Sequence, residues 1–132
     1  MKSGTFVWHD LATDDVERAA GFYAAMFGWR CRAVRANGGV FHSLSSDGQE
    51  IASLYRIGEP AHARRMRPHW TSYVSVPSVD AAAACAEAAG GTVLVQPLDI
   101  GAPDARRIAR LALIGDPDGA VVGLWEPPSS TP

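Results

Sequence analysis

Two stretches of this 132-residue chain carry the same landmarks at the same spacing. Val16 lies eight residues after Trp8, and Val79 lies eight after Thr71; Gly28 and Gly91 each follow twelve residues later. One offset of 63 relates all three pairs. Self-similarity at a fixed offset marks a duplicated supersecondary unit. It constrains the fold strongly, because any element assigned to one half must reappear in the other.

The first half reads as strand, helix and three strands. Residues 5–9 (TFVWH) suit a short strand. Asp14 and Glu17 have capping-box spacing, and Val16, Ala19, Ala20, Tyr23 and Phe27 form one apolar helical face. Gly28 is placed as a left-handed C-cap. Residues 30–35 resume an extended pattern, and Asn37-Gly38-Gly39 signals a hairpin. Strands over 40–45 and 50–57 flank a second turn at Ser46-Asp47-Gly48.

The second half repeats the order. Residues 71–76 form a strand, and Ser78 caps an alanine-rich helix that Gly90-Gly91 stop near Ala89. An extended stretch covers 92–100, a loop 101–110, a strand 111–114, and a DPDG turn precedes the last strand at 120–125. The predicted organisation is one domain: a βαβββ module over 1–57, a linker over 58–69, a second module over 70–127 and a tail over 128–132. The fold class is α+β.

Composition narrows the function. Twelve basic residues stand against fourteen acidic ones, for a net charge of −2. That offers no electrostatic reason to expect nucleic acid or an anionic membrane as a partner. The run Arg64-Arg65-Met66-Arg67 is short and reads as a solvated loop. The N-terminus lacks a signal-peptide apolar core, and no stretch reaches a membrane-spanning length, so a cytoplasmic location is expected. Cys31 and Cys85 form no CxxC and read as small apolar residues rather than nucleophiles. No GxSxG or phosphate loop is present.

Three segments carry a family resemblance. DDVERAAGFYAAMFGW, SVDAAAACAEAAGGTVL and DPDGAVVGLWEP resemble, in order and spacing, the first helix, second helix and closing turn-strand of the glyoxalase/bleomycin-resistance/extradiol-dioxygenase group. The resemblance implies two tandem βαβββ modules forming a curled mixed sheet around a cavity, and usually a homodimer. Metal-dependent members carry His, Gln or Glu at four strand positions. Carried over residue by residue, these fall on Trp8, Ser53, Thr71 and Gly123. None of these suits a divalent catalytic ion, which takes imidazole nitrogen or carboxylate oxygen. The resemblance therefore points to the metal-free branch, with no cofactor.

Strand parity extends the lining, since residues two apart share a face. Phe6 goes with Trp8, Tyr55 with Ser53, Tyr73 with Thr71, and Trp125 with Gly123. His69 falls at the rim. Such a surface is aromatic with a few hydroxyls, which suits a planar organic ligand; the other reading is that Trp8 and Trp125 fill a closed core. Gly123 likewise has two readings, cavity space or a packing glycine. His69, Tyr55 and Tyr73 are the candidates for proton chemistry, and histidine as a residue type titrates near neutrality. A one-residue slip of register would put His9 at the metal position, with His42 and Glu50 as companions.

The leading expectation is a homodimeric, metal-independent protein that binds a planar or aromatic small molecule, with drug sequestration as one use. A metal-independent enzyme of isomerase, cyclase or hydrolase type in the same cavity is an alternative. So is a metal-dependent lyase or dioxygenase with unorthodox ligands.

Overall fold

A computed structural model of the chain describes residues 3–36, 39–57, 67–101 and 107–128. It contains β1 (Phe6–Thr13), α1 (Val16–Phe27), β2 (Arg30–Ala36), β3 (Gly39–Ser46), β4 (Gln49–Arg56), β5 (His69–Ser75), α2 (Val79–Ala88), β6 (Thr92–Gly101), β7 (Arg107–Gly115) and β8 (Val121–Glu126). This is an α+β fold of two βαβββ modules. The 63-residue offset holds at the element level: β1 and β5 start 63 positions apart, and so do α1 and α2.

The chain divides into two compact units, His9–Thr71 and a second made of Met1–Trp8 with Ser72–Pro132. The cuts fall inside β1 and β5, so the unit boundary differs from the module boundary. The linker expected over 58–69 lies outside the described residues except at 67–69, where His69 already opens β5. The Asn37-Gly38 turn and most of the tail also lie outside them.

In the unit His9–Thr71 the strands run in the order β2-β3-β4-β1. The β2–β3 and β3–β4 pairs are antiparallel, and β1 lies parallel to β4. Leu11, Leu44, Ala52 and Leu54 form a core under α1, which contributes Val16, Ala19, Ala20 and Tyr23. The opposite face carries Ala12 and Tyr55, packed with Phe41 and Ile57. The N-cap of α1 is Asp15, not Asp14: its carboxylate accepts from Arg18 N–H at 3.0 Å. Gly28 ends the helix at φ 73°, in the left-handed region that costs glycine nothing. Phe27 leaves the predicted core face and stays exposed.

The other unit orders its strands β5-β8-β7-β6, with β5 parallel to β8. Helix α2 buries Val79 and Ala83 against Ala112 and Leu124. Ser78 caps it by accepting from Ala81 N–H, and Glu126 at the end of β8 accepts from Val79 N–H at 2.8 Å. Residues 107–110, expected in a loop, instead open β7. Arg110 explains the difference, because its guanidinium is clamped by Asp80 of α2 at 2.9 Å and by Asp99 of β6 at 3.2 Å. The charge-assisted bond from Arg110 holds Asp80 below the ordinary carboxylate range. Cys31 and Cys85 are both free and exposed. No helix among the described residues is long and apolar enough to cross a membrane.

Candidate functional site

Each module has a face covered by its helix and an opposite face, and strand register assigns the candidates to them. In the unit containing β8, Leu124 and Ala112 meet α2, so Gly123 and Trp125 face the other way. Gly123 pairs directly with Tyr73, and Trp125 with Ser75. A methyl group at Gly123 would meet the Tyr73 ring, with Cγ at 2.6 Å and two further ring carbons closer. The glycine therefore admits the Tyr73 ring against the strand. Of the two readings of Gly123, packing is the one this geometry supports: the room left by its missing side chain is taken by a neighbour.

Tyr73 is only 3% exposed and meets Trp125 edge to face at 5.8 Å between centroids. Trp125 in turn faces Trp8 at 6.0 Å, with the planes inclined 31°. Trp8 and Trp125 are both half-buried. Phe6 is 64% exposed and extends the apolar surface along β1.

In the unit His9–Thr71, the face away from α1 carries a polar row. Asp10 of β1 pairs with Ser53 of β4, which pairs with Ser43 of β3. Asp10 is a carboxylate only 7% exposed, and Tyr55 is buried one turn of the pleat beyond Ser53. Burial raises the Tyr55 phenol well above its ordinary range, and the Asp10 charge raises it further. Tyr55 is thus a protonated hydroxyl at any physiological pH, able to donate a hydrogen bond but unable to act as a base. The extended pattern is legible in the sequence only over residues 5–9, which leaves Asp10 beside the strand as a polar contact and not as a candidate on the shared face. The strand runs to Thr13, and the parity that placed Trp8 places Asp10 two residues on.

Thr71 is buried, and its Oγ1 has no hydrogen-bond partner among the described residues. The His69 Nδ1–H donates to the Arg67 carbonyl at 2.6 Å. The alternative metal ligands do not converge. His9 is exposed on the face it shares with Leu11. His42 pairs with Leu54 on the α1 side. Glu50 is exposed and bridged to Arg32 at 3.1 Å. No group of three or more His, Cys, Asp or Glu among the described residues could hold a metal ion. The four carried-over positions offer an indole, two hydroxyls and a glycine, a donor set that does not fit a divalent transition metal.

Comparison with known proteins places these features. The family described as the Glyoxalase/Bleomycin resistance protein/Dioxygenase superfamily matches residues 5–124. A Mycobacterium tuberculosis protein provisionally named glyoxylase CFP32 is 36% identical over 127 residues, covering 95% of this chain and 46% of that protein. The anthracycline biosynthesis protein DauV of Streptomyces sp. (strain C5) is 33% identical over 133 residues, covering 92% and 46%. The chain spans about half the length of both relatives. Among solved structures, the hypothetical protein BH1468 from Bacillus halodurans C-125 superposes with a TM-score of 0.64 over 99% of each chain at 13% identity, a likeness of fold.

Proposed function

The chain belongs to the Glyoxalase/Bleomycin resistance protein/Dioxygenase superfamily, and on that premise we propose that it binds a planar, polycyclic aromatic small molecule without a metal ion. One observation carries the reading. Trp8 and Trp125 stand 6.0 Å apart on the face away from α2, backed by the buried Tyr73 ring. Half-buried indoles fixed by a packed neighbour form a stacking surface whose ordering cost is already met in folding. The resemblance to DauV supports the ligand class, since an anthracycline has a fused, planar ring system.

The test is a titration with anthraquinone-2-sulfonate, followed by tryptophan fluorescence. Saturable quenching is expected. Trp8→Ala removes about 1.5 kcal/mol of stacking and burial, so affinity falls about tenfold. Unchanged affinity in Trp8→Ala sinks the reading. Stoichiometric metal that must be present for binding sinks its metal-independent part.

A further inference from the structure

The four tryptophans of the chain divide two and two. Trp8 and Trp125 belong to the surface just described. Trp29 and Trp70 lie within His9–Thr71, on the α1 side of its strands. The geometry points to a second binding site there, for a small planar molecule of one or two fused aromatic rings.

A cavity of about 320 Å³ opens between His9, Trp29, Ile51, Ala52 and Trp70. That volume falls at the lower end of ligand pockets, roughly 300–1,000 Å³, and suits one or two rings better than a four-ring system. Trp29 and Trp70 are its aromatic walls. Their centroids are 6.2 Å apart and their planes cross at 81°. A flat ring lying on one indole therefore presents its edge to the other. Both contacts are favoured geometries for aromatic pairs.

Tyr23 holds the two walls in place. Its ring stacks on Trp29 at 5.5 Å and 20°, and its hydroxyl accepts from Trp70 Nε1–H at 3.1 Å. Ile51 and Ala52 supply an apolar floor, and Ala52 is part of the core beneath α1. Among the described residues lining the cavity, His9 is the titratable side chain, and it is exposed. A hydroxyl or carbonyl substituent on the ligand would meet its imidazole there. Trp70 stays 39% exposed although a hydrogen bond and two ring contacts fix it. Large aromatic surface held rigid and left in water is a feature of binding sites.

The experiment labels the full chain with 5-fluorotryptophan, and Trp→Phe variants assign the four fluorine resonances. The probe is 2-naphthol, two fused rings with one hydroxyl. Saturable shifts of the Trp29 and Trp70 resonances are expected, with a sub-millimolar Kd. Trp70→Ala should raise that Kd at least tenfold, read on Trp29. If Trp70→Ala collapses the resonance dispersion, Ile51→Phe decides instead, because its ring fills the cavity and should abolish the shifts.

Three results overturn the proposal. One is the absence of shifts at Trp29 and Trp70 up to the probe's solubility. Another is a Kd unmoved by the deciding variant. The third is a dependence of those resonances on protein concentration without probe, which would mean that a second copy covers the cavity. Shifts confined to Trp8 and Trp125 overturn this site and leave the proposed function standing; the converse leaves this site standing alone.

Discussion

Gly123→Ala isolates one contact. The added methyl would sit 2.6 Å from Tyr73 Cγ and nearer to two other ring carbons, against roughly 3.5–4.0 Å for relaxed carbon contacts. Tyr73 is 3% exposed and meets Trp125 edge-on, so a shift of its ring would disturb packed neighbours. Overpacking of this kind costs about 1–3 kcal/mol. Replacing glycine returns about 0.5–1 kcal/mol by restricting the unfolded chain. The net expectation is a loss of about 0–2.5 kcal/mol, or a fall in Tm of up to about 10 °C for a domain this size. Thermal and urea unfolding measure it, and a double-mutant cycle with Tyr73→Ala gives the decisive number. With the ring removed, the methyl has room, and Gly123→Ala should turn neutral or slightly stabilising. The coupling energy should be about 1–3 kcal/mol. A stabilising Gly123→Ala in the parent chain, or the same effect in both backgrounds, refutes the claim that Tyr73 dictates the glycine.

Two further outcomes follow from buried polar contacts. The Tyr55 phenol ionises later in the folded chain than in the unfolded one, whose ordinary value is 10.0, because of burial first and the Asp10 charge second. Its contribution to stability is therefore complete below pH 10 and is lost as pH rises above that value. In an ultraviolet titration Tyr55 should ionise only late or on unfolding, and Tyr55→Phe should remove that step; the absence of a late step that Tyr55→Phe removes would contradict the assignment. Glu126→Ala should cost about 1–2 kcal/mol, since Val79 N–H at the start of α2 loses its acceptor. Glu126→Gln, which keeps an acceptor, should recover part of that in urea unfolding, and equal losses for the two variants would show that the hydrogen bond is not the cause.

Much of the fold was legible in the residues because its signals are local. The capping serine at 78, the glycine after α1 and the apolar spacing of Val16, Ala19, Ala20 and Tyr23 each state an element without reference to anything distant. The repeat then tied two such readings together, and the elements obey its offset. Element ends were less legible where distant partners set them. The strand that begins at Arg107 extends four residues into what reads as loop, and Arg110 is held there by Asp80 and Asp99. Phe27 fits the helical face by spacing, yet it sits past the reach of the strands below and meets Trp29 and Tyr23 instead.

The candidate site divides the same way. Parity along a strand is a property of the sequence, so the shared face of Gly123 and Trp125, and that of Ser53 and Tyr55, could be read directly. What occupies the space in front of a residue cannot be read that way. The sequence alone determined that a glycine stands where the strand would tolerate a side chain. Only tertiary structure decided that the Tyr73 ring fills that place, because the parallel pairing of β5 with β8 brings the two residues side by side from 50 positions apart. The same holds for Asp10 beside Ser53, which the parallel pairing of β1 with β4 brings together, and for Trp70 of β5 on Tyr23 of α1: these contacts exist only once elements far apart in the chain are packed together.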